Sequence, residues 1–273
     1  MMKSNPERAN FWRIPEYGDM ELLHAKYITH RFPLHFHEEY VVGVIERGYY
    51  EFYFEGDRQQ IREGEIVMIN PGEIHSGYAL DNAGWQYRTF YPGVTLMRQI
   101  ATEITGEDWH FPTFKSPVLA NKVIAQRLIA LHRAMESSPT RLVKDVFLRE
   151  AMGLLIGEHA TNTREHLRVQ YSHHAIVIVQ DYIQSHYADD IALDDLAKVA
   201  GLSPYHLARV FKAQVGLAPH QYLIQVRIQR AKGLLASGMS ISDVAYAVGF
   251  ADQSHLSKWF KRVMGVPPGQ FVG

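Results

Sequence analysis

Four side chains in the first third of the chain have the types and spacing of a ligand or metal site. His35, His37 and Glu39 alternate along a short run, and His75 follows later. Because successive side chains of a β-strand point to opposite faces, the alternating three share one face if the run is a strand. Three imidazoles and a carboxylate suit a divalent transition metal. Three interpretations are open: a set of ligand-lining residues, a metal site built on the histidines, or polar residues of the core or rim.

Aromatic side chains follow at the same two-residue spacing. Trp85, Tyr87 and Thr89 would share one face of a later strand. An aromatic wall beside polar donors is a common way to hold a sugar ring or another small polar metabolite. An ordinary β-sheet core has the same pattern, so both interpretations stay open. Trp85 and Tyr87 join His35, His37, Glu39 and His75 as candidate ligand-binding residues.

The segment around these residues is predicted to be all-β. From Leu34 to Tyr91 short runs rich in Val, Ile, Tyr and Phe are separated by glycine-containing turns. These turns contain Gly48, Gly56, Gly64, Gly72 and Gly84. Turns at such spacing predict a β-sandwich or barrel. Alternation would then direct the histidines into its interior.

The last third of the chain contains a duplicated segment. The run from Leu193 to Phe211 reappears from Ile241 to Phe260. Ala197 pairs with Ala245 at an offset of 48 and Phe211 with Phe260 at 49, so the second turn is one residue longer. Each copy has the pattern of two helices joined by a tight turn at a glycine.

Start signals and periodicity define the second helix of each copy. Ser203, followed by Pro204, and Asp252 stand at helix N-cap positions. Helical spacing turns the large apolar side chains inward and leaves a basic, hydrogen-bonding face outward. The outward candidates for contacts with DNA are Tyr205, His206, Ala208, Arg209 and Lys212 in the first copy, and Gln253, Ser254, Ser257, Lys258 and Lys261 in the second. For His206 and His255, a simply solvated helix face remains an equal alternative.

The duplicated region resembles the DNA-binding domain of the AraC/XylS family of bacterial transcription regulators. The stretch from Gly249 to Phe271 is similar to the family signature over its whole length. The resemblance implies two recognition helices in successive major grooves, about 34 Å apart. It favours Arg209 for guanine and Gln253 for adenine. Ala208 departs from the longer polar residue common at its position, so the first helix would read fewer bases.

Two segments of the β region resemble cupin motifs, in the arrangement of metabolite-sensing domains of the same family. They are His35 to Glu39 and Gly64 to His75. The resemblance implies a cupin-like jelly roll whose histidines hydrogen-bond a small organic ligand. The acid follows the second histidine too soon for the metal-binding pattern, and Pro71 is one position late. No cofactor is implied, and a divalent metal enters only through the histidine alternative.

Two helical patterns separate these regions. Val118 to Glu136 and Arg141 to Glu158 predict an antiparallel hairpin. Its expected inward-facing residues are Val123, Leu128, Leu131, Met135, Val143, Val146, Phe147, Leu154 and Leu155. In the family such helices support dimerisation, although packing against the barrel gives the same pattern. The predicted organisation is a jelly roll over 1–115, the hairpin over 116–158, a linker over 159–172 and a double helix-turn-helix over 173–273.

Composition agrees with this division. The 273 residues carry a net charge of −1, which splits into about +2 for residues 170–273 and −3 for the rest. Cysteine is absent, which excludes disulfides and thiolate metal sites. The first residues lack the apolar core of a signal peptide, and no apolar run is long enough for a membrane span. We expect a cytoplasmic protein without membrane contact.

Two functions from different classes fit these observations. The first is a transcription regulator that is not an enzyme, with promoter DNA, a small-molecule effector, a second copy of the chain and RNA polymerase as partners. The second is a metal-dependent cupin enzyme fused to a DNA-binding domain. The displaced acid and the complete duplicated motif favour the regulator. Activation and repression are not distinguished by the sequence.

Overall fold

The computed structural model describes residues 7–54, 56–137, 140–163 and 174–272. The chain divides into two compact units, 1–31 with 36–166, and 32–35 with 167–273. Because segment 32–35 is hydrogen-bonded within a sheet of the first unit, we describe it with that sheet. Among the described residues, no helix has the length and apolar character needed to cross a membrane.

The first unit is built on two antiparallel sheets. The six-stranded sheet has the order β1-β2-β9-β4-β7-β11 and the four-stranded sheet the order β3-β8-β5-β6. The strands are β1 (Arg8–Ile14), β2 (Met20–Tyr27), β3 (Arg31–His35), β4 (Val41–Gly48), β5 (Tyr50–Phe54), β6 (Asp57–Ile61), β7 (Ile66–Ile69), β8 (His75–Ala79), β9 (Trp85–Tyr91), β10 (Phe111–Phe114), β11 (Val118–Leu119) and β12 (Ala160–Thr163). This β-rich domain confirms the predicted fold class.

Three helices cover the six-stranded sheet. They are α1 (Val94–Thr105), α2 (Lys122–Ser137) and α3 (Arg141–His159). Leu128 and Leu131 of α2 and Leu155 of α3 join strand residues such as Val44 and Phe90 in one buried cluster. The hairpin therefore packs into the core of the β-domain. Residues 138–139 lie outside the described part of the chain.

The structure corrects the predicted hairpin in two respects. The first helix begins at Lys122, because Val118 and Leu119 pair with β7 as a short strand. Val123, Val143 and Val146, expected to face inward, are exposed instead. The inward face of α3 is set by its contacts with both α2 and α1, and α1 was not predicted.

The first residues of the predicted linker are also structured. Strand β12 pairs antiparallel with β10, with Phe114 opposite Ala160 and Phe111 opposite Thr163. Thr163 Oγ1 is 2.7 Å from Oγ1 of Thr113. The prediction of a linker over 159–172 is therefore wrong for 159–163, which belong to α3 and β12, and its remainder, 164–172, lies outside the described residues.

The second unit contains only helices within residues 174–272. They are α4 (His174–Ser185), α5 (Leu193–Ala200), α6 (Pro204–Val215), α7 (Pro219–Ala236), α8 (Ile241–Ala247), α9 (Gln253–Met264) and α10 (Pro268–Phe271). The pairs α5–α6 and α8–α9 are the two helix-turn-helix copies. The all-α double helix-turn-helix is thus confirmed as the second part of the fold.

Helix α7 joins the two copies and is buried on most sides. Its Arg227 donates from Nε to the carbonyl of Tyr187 at 2.7 Å and from Nη2 to that of Asp189 at 2.8 Å. Desolvation lowers the pKa of this guanidinium from its usual value. Lys232 of the same helix is also buried. These contacts tie the connecting helix to the loop before α5.

Candidate functional site

Three histidines converge in the β-domain. His35 ends β3, His75 begins β8, and His37 lies just after β3. One nitrogen from each ring lies within 4.8 Å of the others, and all three residues are buried, at 4–5% exposure. The rings of His37 and His75 are 5.4 Å apart. The sequence motif thus does bring its histidines together.

The alternation behind that prediction was wrong in detail. Strand β3 stops at His35, so His37 and Glu39 are not on a shared strand face. Glu39 is half-buried and does not belong to the histidine cluster found among the described residues. The carboxylate expected in the set is therefore not part of it.

Backbone hydrogen bonds fix the three histidines. His35 Nδ1 lies 2.8 Å from the carbonyl oxygen of Pro33, and His75 Nδ1 lies 3.0 Å from that of Glu73. Since a carbonyl oxygen only accepts, both imidazoles donate through Nδ1. The amide of Gly72 donates to the carbonyl of His37 at 2.7 Å, which joins the two sequence motifs.

The turn before His75 is held by its own side chains. Glu73 accepts hydrogen bonds from the amide of Asn70 at 2.8 Å and from its Nδ2 at 2.9 Å. Asn70 Oδ1 accepts from the amide of Phe114 at 2.9 Å. Gly72 adopts a φ of +79°, where a side chain would be strained. The turn therefore has a fixed position relative to β10.

A series of neighbouring aromatic rings leads from His75 through Phe52 and Tyr50 to Trp85 on β9. Trp85 and Tyr87 stack at 6.0 Å with an interplanar angle of 13°. Two rings not singled out in the sequence complete this wall: Tyr50 lies 5.3 Å and Tyr27 lies 5.6 Å from Trp85. Burial raises the pKa of Tyr87 well above its usual value, so the phenol stays neutral. The aromatic alternation in β5 was the available signal for Tyr50.

The opposite face of β9 carries a charged network. Arg88 donates from Nε to Glu46 at 2.8 Å and from Nη1 to Glu136 at 3.1 Å. Gln86 donates to Glu46 at 2.9 Å, and His24 Nε2 lies 3.0 Å from the same carboxylate. Burial would raise the pKa of Glu46, but these hydrogen bonds and Arg88 hold it well below its usual range. No sequence pattern indicated this network.

The first recognition helix, α6, presents the predicted polar face. Ser203 caps it by accepting from the amide of His206, and Pro204 is its first residue. Leu207 and Phe211 are buried, whereas Tyr205 is 79% exposed. His206, Arg209 and Lys212 are exposed as well, and Ala208 is half-buried.

The second recognition helix, α9, follows the same plan. Asp252 caps it by accepting from the amide of His255 at 2.7 Å. Leu256 and Phe260 are buried. Its outer face carries Gln253, Ser254, Lys258 and Lys261, all exposed, and a half-buried Ser257. His255 Nε2 accepts a hydrogen bond from Trp259 Nε1 at 3.0 Å, a structural role that was not foreseen.

Comparison with known families agrees with both halves of the chain. Residues 17–156 match a family model described as an AraC-like ligand binding domain, which covers more than half of the protein. The chain belongs to the AraC family of transcription regulators. Residues 196–273 of this AraC-family protein also match a helix-turn-helix domain. The family resemblance and DNA binding inferred from the sequence are thereby confirmed.

Named relatives of this AraC-family protein are transcription regulators. It is 32% identical over 237 residues to the uncharacterized HTH-type transcriptional regulator YbfI of Bacillus subtilis (strain 168), covering 87% of this chain and 86% of that protein. It is 25% identical over 252 residues to the HTH-type transcriptional activator RhaS of Escherichia coli (strain SE11), with the same coverage. These names confirm the regulator over the metal-dependent enzyme.

Solved structures share the fold at low sequence identity. Unsaturated fatty acid bound ToxT from Vibrio cholerae strain SCE256 has a TM-score of 0.57 and 14% identity, covering 100% of this chain and 97% of that one. Apo ToxT K231A from the same strain has a TM-score of 0.54 and 15% identity, covering 99% and 98%. The AraC-family arrangement of a β-rich domain followed by a helical one is therefore shared with ToxT.

Proposed function

We propose that this AraC-family regulator binds a small polar metabolite between the two sheets of its β-domain, and that occupancy changes its binding to promoter DNA. The observation that carries the proposal is the convergence of His35, His37 and His75, with the ring of Tyr91 5.1 Å from His37 and that of Phe52 6.2 Å from His75. From Phe52 a series of neighbouring rings continues through Tyr50 to Trp85 and Tyr87. Imidazole nitrogens give directional hydrogen bonds, and aromatic faces give apolar contact area. Small-molecule sites are usually lined by apolar and aromatic side chains, with a few polar groups that orient the ligand.

The imidazoles favour a polar ligand over a hydrocarbon chain. One ToxT structure holds an unsaturated fatty acid. Hydroxyl and carboxylate groups of a ligand can form hydrogen bonds with imidazole nitrogens, whereas a hydrocarbon chain cannot. We therefore propose a ligand that carries such polar groups.

The DNA-reading residues we propose lie on the exposed faces of α6 and α9. Arg209 suits a bidentate contact with guanine and Gln253 one with adenine. Contacts with phosphates and neighbouring bases would come from Tyr205, His206, Ala208 and Lys212 in α6 and from Ser254, Ser257, Lys258 and Lys261 in α9. Because four of these ten side chains are cationic, affinity should fall steeply as salt rises.

We also propose a homodimer that uses the outer side of α3. Leu142 is 70% exposed and Val146 is 55% exposed, with Val143 between them. Exposed apolar residues one helical turn apart form a surface stripe that a second copy can cover. The buried side of the same helix already belongs to the core of its own domain.

The outcome we propose is activation through contact with RNA polymerase. It is supported by the relative RhaS, which is named an activator. Because promoter DNA is the target, the proposal places the protein in the cytoplasm.

Thermal unfolding of the full-length protein against a panel of sugars, amino acids and hydroxy acids tests the ligand site. A compound at 100 times its dissociation constant stabilises a domain by about 2.7 kcal/mol. We expect one compound class to raise the unfolding temperature of the wild type and of His110→Ala, an exposed histidine in the same domain. His75→Ala should lose that shift while retaining DNA binding. A shift of equal size in His75→Ala would move the ligand site elsewhere.

A further inference from the structure

We infer that the three buried histidines bind one divalent transition-metal ion, with His35 and His75 coordinating through Nε2. None of the three histidines is assigned to DNA contact in the proposed function. Three imidazoles from separate points in the fold meet within 4.8 Å. Their arrangement has the features of a metal site in three further respects.

The first feature is the way two of the rings are held. His35 and His75 each donate from Nδ1 to the carbonyl of the residue two positions earlier, Pro33 and Glu73. This contact fixes the tautomer and leaves the lone pair of the neutral ring on Nε2. Metal-binding histidines almost always donate their second ring nitrogen to a carbonyl, carboxylate or water, which orients the ring and raises its basicity. The same contact occurs twice here.

The second feature is the rigidity of the frame. His35 and His75 belong to neighbouring strands, β3 and β8, of one sheet. His37 is joined to the turn before β8 through the amide of Gly72. Tetrahedral coordination at ~2.0 Å from each nitrogen requires nitrogens ~3.3 Å apart. The nitrogens lie within 4.8 Å of one another, so each pair needs to approach by at most about 1.5 Å to reach that spacing.

The third feature is the chemistry of the donor set. Three nitrogen ligands suit zinc, cobalt, nickel, copper or ferrous iron, whereas magnesium and calcium require oxygen ligands. The rings of Phe52 and Tyr91 lie 6.2 Å from His75 and 5.1 Å from His37 respectively. This aromatic surrounding keeps water away and strengthens the ion's field.

An ion held by three neutral nitrogens keeps both positive charges and an open coordination position. It would therefore bind an anionic or chelating oxygen ligand, such as a carboxylate or an α-hydroxy acid. This second step rests on the proposed function, because it makes the ion the anchor of the effector. Metal binding itself does not depend on an effector.

The test uses Co²⁺, whose visible absorption reports the geometry and nitrogen ligation of its site. Full-length protein without an affinity tag is treated with chelator, passed into metal-free buffer and titrated with Co²⁺, then with Zn²⁺ as competitor. We expect one Co²⁺ per chain with absorption typical of four or five ligands, displaced by Zn²⁺. Removing an outer hydrogen-bond partner of a metal ligand costs 10–100-fold in affinity, so loss of a ligand should cost at least that much.

His75→Asn is the decisive variant, because its amide nitrogen takes the place of the imidazole Nδ1 and can still donate to the Glu73 carbonyl. It should keep the circular dichroism of the wild type and lose Co²⁺ affinity at least tenfold. His37→Asn provides a second variant if His75→Asn misfolds, and His110→Ala serves as the matched control that should bind like the wild type. Absence of a Co²⁺ spectrum in the wild type, or an unchanged affinity in the folded variants, would overturn the metal site.

The anchoring step is tested separately by repeating the compound panel with metal-free and Zn²⁺-loaded protein. We expect carboxylates or α-hydroxy acids to raise the unfolding temperature of the loaded form alone. An equal shift in both forms would overturn the anchoring step and leave the proposed ligand site standing. A metal site with no stabilising compound would overturn anchoring while leaving metal binding intact.

Discussion

Arg88 on β9 donates from Nη1 to Nδ1 of His132 on α2 across 2.9 Å, and both residues are buried. On its other face the same strand carries Trp85 and Tyr87, whose rings stack on each other. Alternate residues of β9 therefore serve two surfaces, a candidate ligand site on one face and a helix on the other. Movement of β9 on ligand binding would act directly on α2.

Removing the cation of this network should destabilise the β-domain strongly. In Arg88→Met, Glu46 loses its 2.8 Å partner in a largely buried setting, and breaking a buried pair from one side costs about 3–5 kcal/mol. Arg149→Met is the matched control, since Arg149 binds Glu103 at 2.9 Å but is half-exposed, so its loss should cost at most about 1 kcal/mol. Urea unfolding compares the two, and equal losses would contradict a stabilising network.

His132 should make stability depend on pH. Burial first, then Arg88 and His24, lowers its pKa from 6.5 to about 3. Between these values the unfolded chain binds a proton that the folded chain does not, so stability falls as pH decreases from 6.5, by up to about 1.4 kcal/mol per pH unit.

The slope between pH 6.5 and 5.5 isolates this effect, because Glu46 has a lowered pKa and loses its contribution only in stronger acid. His132→Gln should flatten the slope of unfolding free energy against pH relative to the wild type. His110→Gln, an exposed change, should leave it unaltered. A wild-type slope retained in His132→Gln would show that His132 is not the titrating group.

Two turn glycines in the helix-turn-helix copies should respond differently to the same change. Gly201 and Gly249 both have positive φ, +63° and +81°. A Cβ added at Gly201 would have no neighbouring atom within 4 Å. Gly201→Ala should therefore lose only the roughly 1–2 kcal/mol that a side chain costs in the left-handed conformation. At Gly249 an added Cβ would lie 2.5 Å from the carbonyl oxygen of Ala188. Gly249→Ala should therefore lose clearly more stability by urea unfolding, and equal losses would refute this account.

Arg209→Ala should weaken specific DNA binding by ~1–3 kcal/mol and relax selectivity at one base pair. Arg58→Ala, an exposed arginine of the β-domain, removes the same charge and should bind like the wild type. Binding to a selected DNA site and to its single-base variants, measured at fixed salt, separates the two effects. If Arg209→Ala weakened binding equally to all single-base variants of the DNA site, Arg209 would contact a phosphate and not a base.

A charged residue on the outer side of α3 should disrupt the proposed homodimer. Val146→Glu should convert the proposed homodimer to a monomer in sedimentation, because it places a carboxylate in the exposed apolar stripe. Val123→Glu, an equally exposed valine on α2, should leave assembly unchanged. A wild type that stays monomeric at micromolar concentration would exclude this interface.

Local signals predicted the second unit well. Ser203 and Asp252 cap α6 and α9 as expected, and both helices begin at the predicted residue. Capping and glycine turns depend on residues a few positions apart, so a single sequence contains them.

The errors arose where distant contacts decide the structure. The strand predicted through His37 stops at His35, and His37 accepts a hydrogen bond from Gly72 instead. Val146 is exposed because α3 packs on a helix, α1, that the pattern did not reveal. Arg88 and His132 are 44 residues apart, and no periodicity relates a strand residue to its partner on a helix.

The different residues on the two helix-turn-helix copies would give the proposed DNA target a direction. One chain presents α6 and then α9 in a fixed order, with different residues on each face. A site for one chain therefore reads differently in the two orientations, unlike the palindrome recognised by two identical helices. Inverting that site in the promoter would reverse the orientation of the bound protein. The protein surface that had faced the start of transcription would then face away from it.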